Sequence, residues 1–157
     1  MSIEHSKELM NLAADNIRIL AASMVERAKS GHPGGAMGGA DFINVLYSEF
    51  LNFDPDEATW RCRDRFFLDP GHMSPMLYSQ LALIGNYTIE ELKQFRQWGS
   101  PTPGHPEVCP QRGIENTSGP LGQGHTYAVG AAIAAKALYA RTGNPGFNKE
   151  KIYAYIS

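Results

Sequence analysis

With 157 residues the chain is sized for one ordinary domain, and a domain of that length buries roughly 70% of its unfolded surface without covalent staples. Hydrophobic residues make up 43% and charged residues 19%, which excludes a disordered composition. A formal net charge of -2 with no long run of one sign excludes nucleic-acid binding through a basic surface.

Two cysteines, Cys62 and Cys109, form no CxxC pair and are too few for a disulfide framework, so reduced thiols are expected. The tripeptides Asn86-Tyr87-Thr88 and Asn116-Thr117-Ser118 match a very short glycosylation pattern that nothing else in the sequence supports. No stretch approaches ~18 apolar residues and the charged N-terminus is unlike a signal peptide. A cytoplasmic protein with no membrane and no nucleic-acid partner is expected.

In chain order, residues 3–29 read as one helix whose apolar face is set by Leu9, Leu12, Asn16, Ile17, Leu20 and Met24. Ser30-Gly31-His32-Pro33-Gly34-Gly35 stops it. A second helix is expected from about Gly39, with Phe42, Val45, Leu46, Glu49 and Phe50 on its face. Arg65-Phe66-Phe67-Leu68 reads as a buried strand feeding into Asp69-Pro70-Gly71-His72. Residues 73–84 form a third helix, and Thr88-x-x-Glu91 is a capping box opening a fourth through Gln97. Residues 99–124 read as loop, residues 128–141 as an alanine-rich helix and residues 151–157 as a second strand. Helices alternating with short apolar runs predict α/β architecture, helix-rich with a few parallel strands.

The 16 glycines and five histidines are not scattered independently. Four histidines directly follow a glycine, in Gly31-His32, Gly71-His72, Gly104-His105 and Gly124-His125, where chance would give fewer than one such pair. All four lie in breaker-rich loops, where functional groups tend to be displayed, and glycine permits a sharp turn or close ligand approach. Imidazoles gathered around a common cavity are the economical reading; solvent-exposed loop histidines are the alternative. Their spacing matches no metal-ligand pattern. Gly119-Pro120-Leu121-Gly122-Gln123-Gly124 leads into the alanine-rich helix. Its glycines suit either close packing or an anion such as a diphosphate at the helix N-terminus.

Ser30-Gly31-His32-Pro33-Gly34, Arg63-Asp64-Arg65-Phe66 with Gly71-His72, Gly104-His105-Pro106-Glu107 and Ser118-Gly119-Pro120-Leu121-Gly122-Gln123-Gly124, in that order, resemble the start of transketolase. The resemblance implies a partial thiamine-diphosphate-binding fold, with residues 1–157 as the N-terminal part of the diphosphate-binding domain. It implies an enzyme, a dimer in the pentose phosphate pathway, that moves two-carbon ketol units between sugar phosphates. By position, His72 would contact the cofactor diphosphate, and Gly119, Pro120 and Leu121 would lie against the cofactor. His32 and His105 would be catalytic and substrate-binding, bonded to sugar oxygens near the reacting carbon.

The sequence departs from the family pattern at Asp69-Pro70, where small polar residues are usual, and at His125, where an apolar residue is usual. In the family an aspartate–glycine pair that opens the metal motif follows the strand of residues 152–157. The ligands for a magnesium or calcium ion are therefore expected beyond residue 157, in the remainder of the enzyme or a second subunit. The chain alone is expected to be inactive. The alternatives are a non-catalytic interaction module or a fragment of another thiamine enzyme, such as dihydroxyacetone synthase.

Overall fold

The computed structural model describes residues 6–156; the expected helical residues 3–5 and strand residue Ser157 lie outside the described residues. The chain divides into two compact units, Met1–Phe50 with Met73–Gly104, and Leu51–His72 with His105–Ser157.

The first unit is helical. Helix α1 (Lys7–Ala28) starts where the Ser6 hydroxyl accepts from the Leu9 N–H at 3.2 Å, and ends with Lys29 in the left-handed conformation at φ 50°. Its buried stripe is Ala14, Ile17, Ala21 and Met24, while the expected face residues Leu9 and Leu12 are exposed. The small side chains win because they let α1 approach its neighbours closely. The stop signal after Lys29 also starts the next helix. Helix α2 (Pro33–Gly38) has Pro33 in its first turn, a position that loses no hydrogen bond to proline. Helix α3 (Ala40–Val45) runs into a π-helical turn, Leu46–Phe50. The segment buries Ile43, Asn44, Leu46 and Tyr47 and leaves the expected Phe42, Val45 and Phe50 exposed. Helix α4 (Ser74–Leu83) is buried from Ser74 to Leu81 on every side, as a helix at the centre of a unit must be; α1, α2 and α3 pack on it. Helix α5 (Ile89–Leu92) opens with the expected capping box between Thr88 and Glu91. Regular α-helix then gives way to turns short of the expected Gln97.

The second unit holds the sheet. Strands β1 (Arg65–Leu68) and β2 (Ile152–Tyr155) pair in parallel, with Arg65 opposite Ile152 and Leu68 opposite Tyr155. The Asp64 carboxylate locks the strand entry by accepting from the N–H groups of Asn52 at 3.0 Å and Lys151 at 2.7 Å. Buried Asn116 bonds both backbone polar groups of Leu68, accepting from its N–H at 3.3 Å and donating to its carbonyl at 3.2 Å. Helix α6 (Gln123–Thr142) packs on both strands and begins five residues before the expected start at Ala128. A short helix, α7 (Gly146–Lys149), precedes β2. Both cysteines are free, and among the described residues no helix is long and apolar enough to cross a membrane.

Candidate functional site

The second unit gathers most of the residues singled out in the sequence. The chain leaves β1 at Asp69, whose N–H continues the ladder to the Tyr155 carbonyl at 3.0 Å. The Asp69 side chain then turns back to the start of α6. One carboxylate oxygen accepts from the N–H groups of Gly122 at 3.0 Å, Gly124 at 2.7 Å and His125 at 3.3 Å. These are the N–H groups that a helix start leaves without intrahelical partners, and a carboxylate there also meets the positive end of the helix dipole. The glycine-rich entry is closely packed at Gly124, and its N–H groups are bonded by the chain's own Asp69 carboxylate.

Two glycines make this arrangement sterically workable. A Cβ on Gly124 would lie 2.6 Å from the Asp69 nitrogen, so only glycine fits. Gly122 has φ 97°, a left-handed conformation that side chains resist. His125 completes the set, with Nδ1 buried, without a hydrogen-bond partner among the described residues and 3.7 Å from the Asp69 carboxylate.

Beyond Asp69, the Gly71–Met73 turn carries half-buried His72. Gly71 packs so tightly that a Cβ there would lie 2.6 Å from the Ser118 carbonyl oxygen and 3.0 Å from Cδ2 of His105. Ser118 is held in turn: its hydroxyl donates to the Asp69 carbonyl at 2.7 Å and its N–H to the Pro106 carbonyl at 3.1 Å. The 105–118 loop is closed by a bridge between Cys109 and Ile114, and the Thr117 hydroxyl accepts from the Val108 N–H at 2.9 Å. This unit therefore sets the His105 ring against the backbone beside His72, with Gly119, Pro120 and Leu121 continuing from Ser118. Gly119 has open space where a side chain would stand, and Leu121 is 62% exposed.

At the start of β1 lies a second polar cluster. Glu115 accepts from Arg63 Nε and Nη2 at 2.9 and 2.6 Å on one oxygen and from Arg65 Nε at 2.9 Å on the other. A cavity of about 270 Å³ beside it is lined by Arg61, Arg63, Arg65 and Glu150, with alanines of α6. Burial pushes the Glu150 carboxyl above its ordinary range, against the pull of Arg65 and Arg63.

His32 belongs to the first unit, at the residue before α2, and its side chain is exposed. Gly31 before it has φ 135°. Gly104, which precedes His105 in the chain, is also in this unit. Its carbonyl accepts from the Ser74 hydroxyl at 2.7 Å, and the Pro103 carbonyl accepts from the Tyr78 hydroxyl at 2.9 Å.

Asp69 stands out in the sequence only as a departure, and Ser118 and Asn116 carry no role there, although both lie in the short stretch between Gly113 and Gly119. Among the described residues, no group of three or more His, Cys, Asp or Glu side chains is arranged to hold a metal ion.

The family model of the transketolase thiamine diphosphate binding domain matches residues 9–157. The chain is 47% identical over 145 residues to the transketolase of Staphylococcus aureus strain MRSA252, covering 92% of this chain and 22% of that protein. It superposes on the transketolase of Leishmania mexicana with a TM-score of 0.84 at 44% identity, covering 94% of this chain and 22% of the other. The Pichia stipitis transketolase in complex with sedoheptulose 7-phosphate gives 0.84 at 42% identity, with the same coverages. The chain thus spans about a fifth of the length of these relatives.

Proposed function

The chain belongs to the transketolase family, and from that premise we propose that it supplies part of a thiamine diphosphate site for transfer of two-carbon ketol units between sugar phosphates. The observation that carries this reading is the packing of His105 against Gly71, which puts the backbone of Gly71-His72, the His105 ring and Ser118-Gly119 in one place. Four of the six residues assigned by resemblance, His72, His105, Gly119 and Pro120, lie at that contact or within two residues of it in sequence.

The residues present suit the organic part of the cofactor. Exposed Pro120 and Leu121 offer apolar surface for a ring, and the open space at Gly119 admits close approach to backbone. The diphosphate falls to His72, because Asp69 already takes the N–H groups at the start of α6. A magnesium or calcium ion enters the proposal only through ligands outside this chain.

Thiamine diphosphate, when bound, supplies the carbanion-stabilising chemistry, and the protein supplies orientation and electrostatics. His32 and His105 present imidazole N–H donors to the sugar hydroxyl and carbonyl oxygens. Such donors stabilise negative charge where it develops on oxygen and hold or return the proton. Histidine suits the task because its proton is mobile near neutral pH.

The proposed setting is a cytoplasmic enzyme of the pentose phosphate pathway, with residues 1–157 as part of its diphosphate-binding domain. Self-association is supported by the outer face of α6, where Val129 and Ile133, one turn apart, are 57% and 64% exposed. A clean monomer by light scattering at high concentration contradicts that part.

The test is a graft in which this chain replaces the matching segment of the S. aureus transketolase. Ketol transfer that depends on added thiamine diphosphate is the expected result, and a folded graft without transfer overturns the proposal. The chain by itself is expected to bind thiamine diphosphate negligibly, since a diphosphate without its cation is poorly neutralised. Robust magnesium-dependent binding by calorimetry overturns that expectation.

A further inference from the structure

Arg96 unites three unusual properties in the first unit. Its backbone has φ 61°, a left-handed conformation that a long side chain rarely adopts. Its Nε is buried and has no hydrogen-bond partner among the described residues. Its guanidinium lies beside two glycines: a Cβ on Gly104 would stand 2.7 Å from Nε and 3.0 Å from Cζ, and one on Gly31 would stand 3.6 Å from Nε. Gly31 and Gly104 are the residues that precede His32 and His105.

The rest of its surroundings hold Arg96 in that position. Nη1 donates to the Ser30 hydroxyl at 2.9 Å, and the guanidinium lies 5.6 Å over the Phe95 ring. The Arg96 N–H donates to the carbonyl of fully buried Thr102 at 3.0 Å, and the Thr102 hydroxyl donates to the Glu91 carbonyl at 3.0 Å. Backbone held off its preferred region and a buried donor left unpaired are both costly. They persist where the surrounding structure over-determines them, and such positions cluster at functional sites.

We propose that Arg96 is a positioning residue, whose guanidinium fits between Gly31 and Gly104 and fixes the backbone from which His32 and His105 are presented. The inference rests on the functional reading above for what those two histidines do, but not for the geometry. Arg96 touches neither substrate nor cofactor in this role. It acts by bonding Ser30 on one loop and packing against the glycine of each.

The test reads the imidazole signals of the whole chain by NMR. Arg96→Gly keeps the left-handed turn, which glycine adopts freely, and removes the guanidinium. The expected result is a shift of the His32 and His105 signals by more than a linewidth, with that of His125 in place. General loosening moves His125 as well and overturns the proposal. Arg96→Lys retains a cationic donor for Ser30 and is expected to hold both signals nearer their original positions. Unmoved His32 and His105 signals in folded Arg96→Gly overturn the proposal. Should that variant not fold, Gly104→Ala carries the test, since its Cβ displaces the guanidinium; unmoved signals there overturn the proposal equally. The readout needs neither cofactor nor turnover. A shift as stated, together with an inactive graft, contradicts the functional reading and leaves the role of Arg96 in place.

Discussion

Asp69 and His125 face each other across the start of α6, with a carboxylate oxygen 3.3 Å from the His125 backbone nitrogen and 3.7 Å from its Nδ1. The fold brings these two residues together from 56 positions apart in the chain. The carboxylate does the capping, whereas 3.7 Å is too long for a hydrogen bond to the ring. Asp69→Ala is therefore expected to cost about 2 kcal/mol in urea unfolding, through loss of a cap. Asp69→Asn, which keeps an acceptor, is expected to cost less. His125→Leu is expected to stay within about 0.5 kcal/mol, since its side chain is 43% exposed and its Nδ1 makes no hydrogen bond among the described residues. A large loss in His125→Leu, with little in Asp69→Ala, contradicts this assignment.

Glycines of α6 differ in what surrounds them. Gly124 has no room for a Cβ against the Asp69 backbone, whereas a Cβ on Gly130 would meet nothing within 4 Å among the described residues outside the helix's own backbone. Gly124→Ala is expected to destabilise by about 3 kcal/mol, the upper range for overpacking, because backbone must move. Gly130→Ala is expected to stabilise by up to about 1 kcal/mol, the difference in helix propensity. Thermal unfolding of the two variants checks both signs.

Glu150 gives a pH dependence of definite sign. Its carboxyl titrates above the ordinary value of 4.5 because burial disfavours the charge more than Arg65 and Arg63 favour it. Between the ordinary and the raised value, the folded state holds more protons than the unfolded one, so stability falls as pH rises through that window. Glu150→Gln is expected to raise the melting temperature near pH 7 by an amount corresponding to less than about 1 kcal/mol, since solvent screens the group. The gain should disappear below about pH 4.5, where both states are protonated. A variant less stable than the parent at pH 7 contradicts this.

Local signals were legible where they were sufficient by themselves. Thr88 and Glu91 cap a helix through a reciprocal bond that needs no tertiary partner, and Arg65 to Leu68 form a strand too apolar for the surface. The start of α6 was not legible, because Gly122, Gln123 and Gly124 read as loop until a carboxylate more than 50 residues away supplies the cap. The buried face of α1 differs from the expected one because it depends on tertiary packing: Leu9 and Leu12 have the larger side chains, but Ala14 and Ala21 are the buried positions. In the candidate site, the glycine–histidine pairs identified the loops from sequence. Arg96 carried no signal, since nothing local distinguishes it from other arginines; its meaning lies in contacts to residues 31 and 104.

In the proposed function the glycine–histidine loops divide the work of ketol transfer, with His72 on the cofactor and His105 on the reacting sugar. The most direct measurement is the thiamine diphosphate Kd and the cofactor-saturated kcat of His72→Ala and His105→Ala in the grafted enzyme. His72→Ala is expected to weaken cofactor binding about tenfold, the loss of one charge-assisted hydrogen bond. His105→Ala is expected to leave the Kd unchanged and to lower kcat by about 10² or more, the usual share of a positioned acid or base. A His105→Ala enzyme with undiminished kcat, or one whose defect is repaired by excess cofactor, contradicts the account.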